Sequence, residues 1–215
     1  MAIPATEAEQ DTMITLAEFL SYAGLIVFAA SGAIAAAQSK HTIVEFIFFA
    51  TITAVGGGTL RDLLIGAPVF WVTGNGPVGA CVITALLVWF LGERFWNVRI
   101  LVWLDAIGLV AFAVLGSAKT LALGYPGLVA ITMGVLTGTL GGIVRDVLAN
   151  RPSILLGREI YVSAAMLASS IFVALDHLGM PTFLAGLAGT LTGFLLRAGA
   201  LHYGWTLPGY RDARS

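Results

Sequence analysis

Apolar residues occur along the chain in long runs that are separated by short clusters of Gly, Pro and charged residues. A helix needs about 20 apolar residues to cross the hydrocarbon core of a bilayer, and such clusters mark its ends. The runs therefore predict seven membrane-spanning helices, at residues 13–37, 43–65, 78–91, 100–121, 127–148, 160–175 and 181–202. The third and sixth runs are short, and the brief connections leave no room for a soluble domain. The pattern predicts an all-α polytopic membrane protein.

The composition supports a lipid environment. Hydrophobic residues make up 58% of the 215 residues and charged residues 11%, and the mean hydropathy is +0.93. Lys and Arg total 11 against 12 for Asp and Glu, so there is no basic excess that would favour nucleic-acid binding. Residues 1–12 contain acidic but no basic residues, which predicts a retained N-terminal tail rather than a signal peptide. The expected partners are membrane lipids and not nucleic acids.

The basic residues predict an orientation, because cytoplasmic loops retain Lys and Arg. If the N-terminus is outside, alternate connections and the C-terminus face the cytoplasm. The cytoplasmic side then collects nine basic residues, which are Lys40, Arg94, Arg99, Arg145, Arg151, Arg158, Arg197, Arg211 and Arg214. Only Arg61 and Lys119 fall on the other side. This bias predicts an outside N-terminus, a cytoplasmic C-terminus and an odd number of spans.

The chain contains an internal repeat. A displacement of 84 residues, from Gly24 to Gly108, aligns residues 24–68 with residues 108–152 without a gap. Gly, Ala and Leu identities arise easily in such a composition, whereas identities of other residue types do not. The informative identical pairs are Phe28/Phe112, Arg61/Arg145, Asp62/Asp146 and Pro68/Pro152. The two halves are therefore related.

Each repeat contains three spans, so the second copy must enter the membrane in the opposite direction. The predicted organisation is an N-terminal tail (1–12), a first three-helix repeat (13–97), a second, inverted repeat (98–178), a seventh helix (179–204) and a C-terminal tail (205–215). On the seventh helix, Ala185, Gly189 and Gly193 recur at four-residue spacing. Small residues at this spacing predict close packing against the bundle or a neighbouring subunit.

Adjacent glycines lie late in the second and fifth spans, at Gly56, Gly57 and Gly58 and at Gly141 and Gly142. Adjacent glycines weaken a helix, so we predict a kink or break at each motif. The inverted repeats bring the two motifs toward the middle of the membrane from opposite faces. Irregular backbone at that depth is tolerated only if it is buried in protein or lines a wet cavity. The pattern therefore favours a pore or a binding site.

The glycines also fit a simpler role in close helix packing. Small residues form a stripe at four-residue spacing in the fifth span, and small residues occupy the matching positions of the second span. The two stripes are Gly134, Gly138 and Gly142, and Ala50, Ala54 and Gly58. They predict a seam between the second and fifth spans, with the additional glycine providing a hinge.

An Arg-Asp pair follows each glycine motif, at Arg61-Asp62 and Arg145-Asp146. Ionisable groups at membrane depth are costly unless they are paired or hydrated. Adjacent residues of a helix do not face one another, so we expect each Arg to reach a carboxylate or carbonyl in the opposite repeat rather than its neighbouring Asp. The alternative is a helix-end cap with an Arg that extends to the interface. Lys119, near the outer end of the fourth span, is either a voltage-responsive charge or a lysine that extends to the interface.

The remaining polar residues indicate no further chemistry. Glu18, Glu45 and Asp105 lie near predicted span ends, where contact with the interface is the default expectation. Cys81 lies in an apolar run and is expected to be a small buried hydrophobe. The three histidines lack metal-ligand spacing, and there is no phosphate-binding loop or nucleophile elbow. We predict no metal site, no cofactor and no enzymatic activity.

The seven-span plan, the duplicated three-helix unit and the paired Gly-Gly-x-x-Arg-Asp motifs resemble the prokaryotic relatives of the trimeric intracellular cation (TRIC) channels. The chain also resembles the UPF0126-type bacterial inner-membrane family, whose duplicated domain is called a glycine transporter domain. Both resemblances cover nearly the whole chain. The channel resemblance implies a homotrimer in a bacterial or archaeal inner membrane, with one pore per subunit lined by the second and fifth helices. By motif, the kinks of those helices would be Gly56, Gly57, Gly58, Gly141 and Gly142.

Lys119 is similar, by position only, to a basic residue that is implicated in voltage gating in animal members of the channel family. The resemblance implies a potassium-permeable monovalent-cation channel in which ions pass the two glycine motifs. A second interpretation is a secondary carrier for glycine or another small amino acid, in which the same site binds the solute and the halves rock. Channel and carrier both fit these residues, whereas a purely structural scaffold does not explain the Arg-Asp pairs.

Overall fold

A computed structural model describes residues 7–92, 98–151 and 160–207, with side chains from residue 21 onward. Seven α-helices lie in these ranges. They are α1 (Glu7–Gln38), α2 (Ile43–Leu64), α3 (Gly76–Leu91), α4 (Val98–Ala122), α5 (Gly127–Leu148), α6 (Val162–His177) and α7 (Thr182–Tyr203). The predicted all-α architecture with seven helices is confirmed.

Helix lengths follow the hydrophobic runs. Five helices are long and apolar enough to cross a membrane, namely α1 (from residue 21), α2, α4, α5 and α7, whereas α3 and α6 have only 16 residues each. The predicted bounds of α2 to α7 agree with the structure within two residues at each end. By contrast, α1 begins at Glu7, so this helix extends into the predicted tail. The first six residues, and residues 208–215 of the C-terminal tail, lie outside the described ranges.

The same capping motif ends α2 and α5. Gly66 has a φ of 64°, and the residue after it donates its N–H to the carbonyl of Asp62 at 2.8 Å. The equivalent Asn150 has a φ of 51°, and the residue after it donates to the carbonyl of Asp146 at 2.9 Å. A left-handed residue followed by this hydrogen bond closes the last helical turn. Each Arg-Asp pair therefore lies in the final turn of its helix, immediately before a fixed end.

Reciprocal contacts relate the two repeats. A Cβ atom added at Gly24 would lie 3.1 Å from the ring of Phe112, and one added at Gly108 would lie 3.1 Å from the ring of Phe28. The two rings pack together with their centroids 5.2 Å apart. Each contact is the copy of the other under the 84-residue displacement. Gly24 of α1 faces Phe112 of α4, whereas Phe28, which comes later in α1, faces Gly108, which comes earlier in α4. The helices are therefore antiparallel about a pseudo-twofold axis, as inverted repeats require.

The seventh helix packs within the subunit. A Cβ atom added at Gly189 would lie 2.6 Å from the carbonyl oxygen of Ala168, and one added at Gly193 would lie 2.9 Å from that of Ala164. Both carbonyls belong to α6, and Ala185 is fully buried on the same face of α7. The predicted small-residue stripe therefore packs against the bundle and not against a neighbouring subunit.

Two of the other residues singled out in the sequence lie where they were predicted. Cys81 is fully buried in α3. Glu45 lies partly exposed in the first turn of α2 and accepts a hydrogen bond of 2.6 Å from the N–H of Thr42, as in a helix cap. The side chain of Glu18 is outside the described residues. Of the basic residues that predict the orientation, Arg94, Arg158, Arg211 and Arg214 are also outside them.

Candidate functional site

The backbones of α2 and α5 meet at the glycine motifs. A Cβ atom added at Gly57 would overlap the carbonyl oxygen of Thr137, and one added at Gly141 would overlap the carbonyl oxygen of Thr53. These two contacts are repeat equivalents, so the crossing lies on the pseudo-twofold axis. Only glycine permits such an approach of two helix backbones. At this crossing the two helices leave no space for an ion between them.

The predicted helix breaks are absent. Both α2 and α5 continue as uninterrupted α-helices through their glycines. Glycine in a helix interior costs about 1 kcal/mol relative to Ala, but packing of neighbouring helices against the glycines offsets that cost. Gly56 differs from the other glycines of the motif, because a Cβ atom added there would meet nothing within 4 Å. The hinge stays a prediction.

The predicted seam was assigned to the wrong residues. The stripe that includes Gly138 and Gly142 faces α4 and the segment before α6, not α2. A Cβ atom added at Gly138 would overlap the carbonyl oxygen of Leu109, and one added at Gly142 would overlap the hydroxyl of Tyr161. One residue corresponds to about 100° around a helix. Gly141 therefore points to α2 while its neighbour points elsewhere.

The first Arg-Asp cluster, formed by Arg61, Asp62 and Lys119, joins the two repeats. Oδ1 of Asp62 accepts hydrogen bonds from Nε of Arg61 at 2.9 Å and from Nζ of Lys119 at 2.8 Å. Oδ2 accepts the backbone N–H of Phe70 at 3.0 Å. The carboxylate is fully buried, and both of its oxygens have donors. Lys119 thus neutralises a buried carboxylate across the repeat boundary rather than extending freely to the interface.

The second Arg-Asp cluster, formed by Arg145, Asp146, Asp105, Ser31 and Tyr161, lies beyond the crossing at the opposite end of the bundle. Nε and Nη2 of Arg145 donate to Oδ1 of Asp146 at 2.9 and 2.8 Å. Nη1 donates to Oδ1 of Asp105 at 2.6 Å and to the hydroxyl of Ser31 at 2.5 Å. Arg145 and Asp105 are completely buried. One guanidinium therefore links two carboxylates and a hydroxyl from three helices.

The prediction that Arg and Asp would not pair within each motif was wrong. Neighbouring Cβ atoms do point in different directions, but the long Arg side chain turns back along its helix. Its guanidinium then reaches the carboxylate of the next residue, with Nη2 of Arg61 lying 2.8 Å from Oδ1 of Asp62. The predicted contact of each Arg with a carboxylate or carbonyl of the opposite repeat is not found among the described residues, and Arg145 instead donates to the hydroxyl of Ser31 in the first repeat.

Sequence reasoning misplaced or missed three members of the second cluster. Asp105 was expected at the interface, but α4 carries it into the protein interior. Asp105 is the eighth residue of an apolar helix, and this position is the sequence feature that indicates a buried carboxylate. Ser31 and Tyr161 are ordinary residues for membrane helices and their ends, so no sequence pattern distinguished them. A cavity of about 290 Å³ lies elsewhere, lined by Ala37, Lys40, His41, Phe46, Val88 and Trp89.

Comparison with known proteins agrees with this architecture. The model of the protein family described as "Glycine transporter" matches residues 18–93 and again residues 102–177. A UPF0126 membrane protein of Vibrio cholerae is 36% identical over 190 residues, covering 86% of this chain and 79% of that protein. The UPF0126 membrane protein YvgT of Bacillus subtilis is 37% identical over 198 residues, covering 89% and 95% respectively.

Among solved structures, the TRIC trimeric intracellular cation channel orthologue from Rhodobacter sphaeroides is 42% identical, with a TM-score of 0.85. The match covers 89% of this chain and 100% of that chain. The two matches of the "Glycine transporter" model, to residues 18–93 and to residues 102–177, are offset by 84 residues. The same displacement relates the glycine motifs and the reciprocal helix contacts. The chain therefore belongs to the UPF0126 membrane protein family, built from two glycine transporter domains, and has the fold of the prokaryotic TRIC channels.

Proposed function

We propose that this bacterial membrane protein is a potassium-permeable channel for monovalent cations and not an enzyme. It assembles as a homotrimer with one pore in each subunit, with its N-terminus outside and its C-terminus in the cytoplasm. The observation that carries the proposal is the 42% identity to a trimeric intracellular cation channel orthologue along the full length of that chain. The TM-score of 0.85 to the same structure supports the proposal as well.

The pore follows the α2–α5 interface. Arg61 and Arg145 each lie four residues beyond a crossing glycine, which is about 6 Å along the helix axis. The two Arg-Asp clusters therefore flank the crossing on opposite sides. Because Gly57 and Gly141 hold the two backbones in contact, conduction requires α2 and α5 to separate there. The glycines serve as the gate and the hinge, and the open space beside Gly56 allows α2 to move.

Lys119 connects α4 to this gate. Its ion pair with Asp62 ties α4 to the last turn of α2. A displacement of the lysine by membrane voltage would pull on Asp62 and so on the helix that carries Gly57. The pair therefore couples a charge in the fourth helix to the α2–α5 crossing. The electrical energy available for this movement is set by the charge of the lysine and by the fraction of the membrane voltage through which it moves.

A carrier for glycine or another small amino acid is the second candidate. It is favoured by the match of both repeats to a family described as "Glycine transporter". In a carrier, the same crossing would open alternately to each side, and the Arg-Asp clusters would receive the solute's carboxylate and ammonium groups.

One experiment separates the two candidates. The purified protein is placed in liposomes, and potassium flux and uptake of radiolabelled glycine are measured in parallel, with single-channel recording after any potassium signal. Unitary potassium currents without glycine uptake support the channel. Saturable glycine uptake without unitary currents would reject it in favour of the carrier.

A further inference from the structure

The two Arg-Asp clusters differ in how well their carboxylates are satisfied. In the first cluster, both oxygens of Asp62 accept hydrogen bonds. In the second cluster, Oδ1 of Asp105 accepts a hydrogen bond from Arg145, but Oδ2 is buried without a hydrogen-bond partner among the described residues. The Tyr161 hydroxyl is also buried without such a partner. Asp105 and Tyr161 are 0% and 1% exposed, so solvent outside the protein does not satisfy them.

An unsatisfied buried carboxylate oxygen is expensive, because it has lost its hydration and gained no donor in return. Buried polar atoms of this kind mark the position of a bound water or ion. The Tyr161 hydroxyl does not donate to Oδ2 of Asp105, although the Asp105 carboxylate and the hydroxyl approach the same glycine. A Cβ atom added at Gly142 would lie 3.0 Å from Oδ1 of Asp105 and would overlap the Tyr161 hydroxyl. The missing side chain of Gly142 thus leaves room for the Asp105 carboxylate and the Tyr161 hydroxyl on the same side of α5.

The charges around these oxygens restrict the ligand. Arg145 already compensates part of the charge of Asp105 and Asp146, and the guanidinium of Arg197 lies over the Tyr161 ring, 5.3 Å from its centroid. No group of three or more His, Cys, Asp or Glu within the described ranges could hold a metal ion. Calcium and magnesium carry two positive charges and bind at sites rich in oxygen ligands. The two carboxylates and the one guanidinium of Arg145 together leave a single negative charge, which matches a singly charged cation.

We propose that Oδ2 of Asp105 and the hydroxyl oxygen of Tyr161 bind one monovalent alkali cation beside Gly142. The inference deepens the proposed function and rests on it in taking the bound ion to be a permeant one. The site lies beside the residue that follows the crossing glycine Gly141, on the face of α5 that points to α4 and Tyr161 rather than to α2. The first Arg-Asp cluster has no such site, because the residue that corresponds to Asp105 under the 84-residue displacement is Ser21 and both oxygens of Asp62 already accept hydrogen bonds. The pseudo-symmetric chain is therefore asymmetric in its ion binding.

Thermal unfolding of the purified full-length protein in detergent tests the site. KCl is titrated at constant ionic strength against N-methyl-D-glucamine chloride, for the wild type and for Asp105→Asn and Tyr161→Phe. The wild-type unfolding temperature should rise saturably with K⁺, and Asp105→Asn should abolish the rise. Tyr161→Phe, which removes one ligand, should raise the half-saturating K⁺ concentration about tenfold, the equivalent of about 1.4 kcal/mol. Asp62→Asn is the matched control and should retain the rise.

Equal unfolding temperatures in K⁺ and N-methyl-D-glucamine would overturn the proposal and assign the oxygens to water or a proton. An undiminished K⁺ effect in Asp105→Asn would overturn it as well, and if that variant does not fold, an unchanged half-saturating concentration in Tyr161→Phe would do so. Parallel flux measurements separate this inference from the proposed function. Potassium currents without a K⁺-dependent shift reject the site alone, whereas a shift that is lost in Asp105→Asn, without currents, supports the site and rejects conduction.

Discussion

The ammonium of Lys119 lies 2.8 Å from Oδ1 of Asp62 and thereby connects the fourth helix to the end of the second. The carboxylate is fully buried, whereas the lysine side chain is about one-third exposed. The pair joins the two repeats close to the glycine crossing. It has no copy in the second Arg-Asp cluster, because the residue equivalent to Lys119 in the first repeat is Ala35.

Loss of this ion pair should destabilise the fold in a way that depends on Asp62. We expect Lys119→Met to lower the free energy of unfolding by about 1 kcal/mol, since the partial exposure of the lysine screens the interaction. In an Asp62→Asn background, the same substitution should have a smaller effect, which a double-mutant cycle in detergent would measure. Lys40→Met, which alters the exposed lysine of the α1–α2 connection, is the control and should show no coupling. Equal losses from Lys119→Met in both backgrounds would contradict the interaction.

Two adjacent glycines of α2 should respond in opposite ways to a methyl group. Gly57→Ala forces a Cβ atom into the carbonyl of Thr137 and should lower the free energy of unfolding by about 1 to 3 kcal/mol. Gly56→Ala enters open space and should be neutral or stabilise by up to about 1 kcal/mol, because Ala favours the helix. Unfolding midpoints of the two variants provide the comparison. Equal stability of both variants would contradict the close approach of Gly57 to the Thr137 carbonyl, because the α2–α5 crossing would then have room for a methyl group.

The seventh helix offers a similar pair of substitutions. Gly189→Ala places a methyl group against the carbonyl of Ala168 and should destabilise the subunit by about 1 to 3 kcal/mol. Gly186→Ala, on the same helix, makes only an ordinary contact with Val114 at 3.6 Å and should be tolerated. Thermal unfolding and the oligomer size should be measured together. A variant Gly189→Ala that keeps its unfolding temperature but loses its oligomer would instead place this face between subunits.

Cysteine labelling tests the proposed orientation. Cys81 is buried and is replaced by Ala, so that a single new cysteine reports on each connection. Asn75→Cys, in the exposed α2–α3 connection, should react with a membrane-impermeant maleimide on intact cells. Lys40→Cys, in the exposed α1–α2 connection, should react only after the membrane is opened. The reverse pattern would place the N-terminus in the cytoplasm.

The candidate site was only partly predictable. The sequence identified Gly57, Gly141 and both Arg-Asp pairs, because their spacing repeats after 84 residues. It did not reveal that Arg145 binds Asp105, since these residues lie 40 positions apart on different helices. Of the predicted kink or break, the break is absent, because adjacent glycines report only the local helix propensity. The close backbone packing that keeps these helices continuous depends on a partner helix elsewhere in the chain.

The sequence by itself determined the seven helices, their approximate ends and the inverted duplication. These features depend on hydrophobic length, helix punctuation and self-similarity, which are all local or periodic along the chain. Only the tertiary structure decided that Gly141 faces α2 while Gly142 faces Tyr161, and that Lys119 compensates Asp62 but leaves Asp105 to Arg145. The direction of a glycine and the partner of a charge are set by the rotation and crossing of packed helices. Hydrophobic patterns in a membrane protein contain little of that information, because lipid-facing and buried surfaces are both apolar.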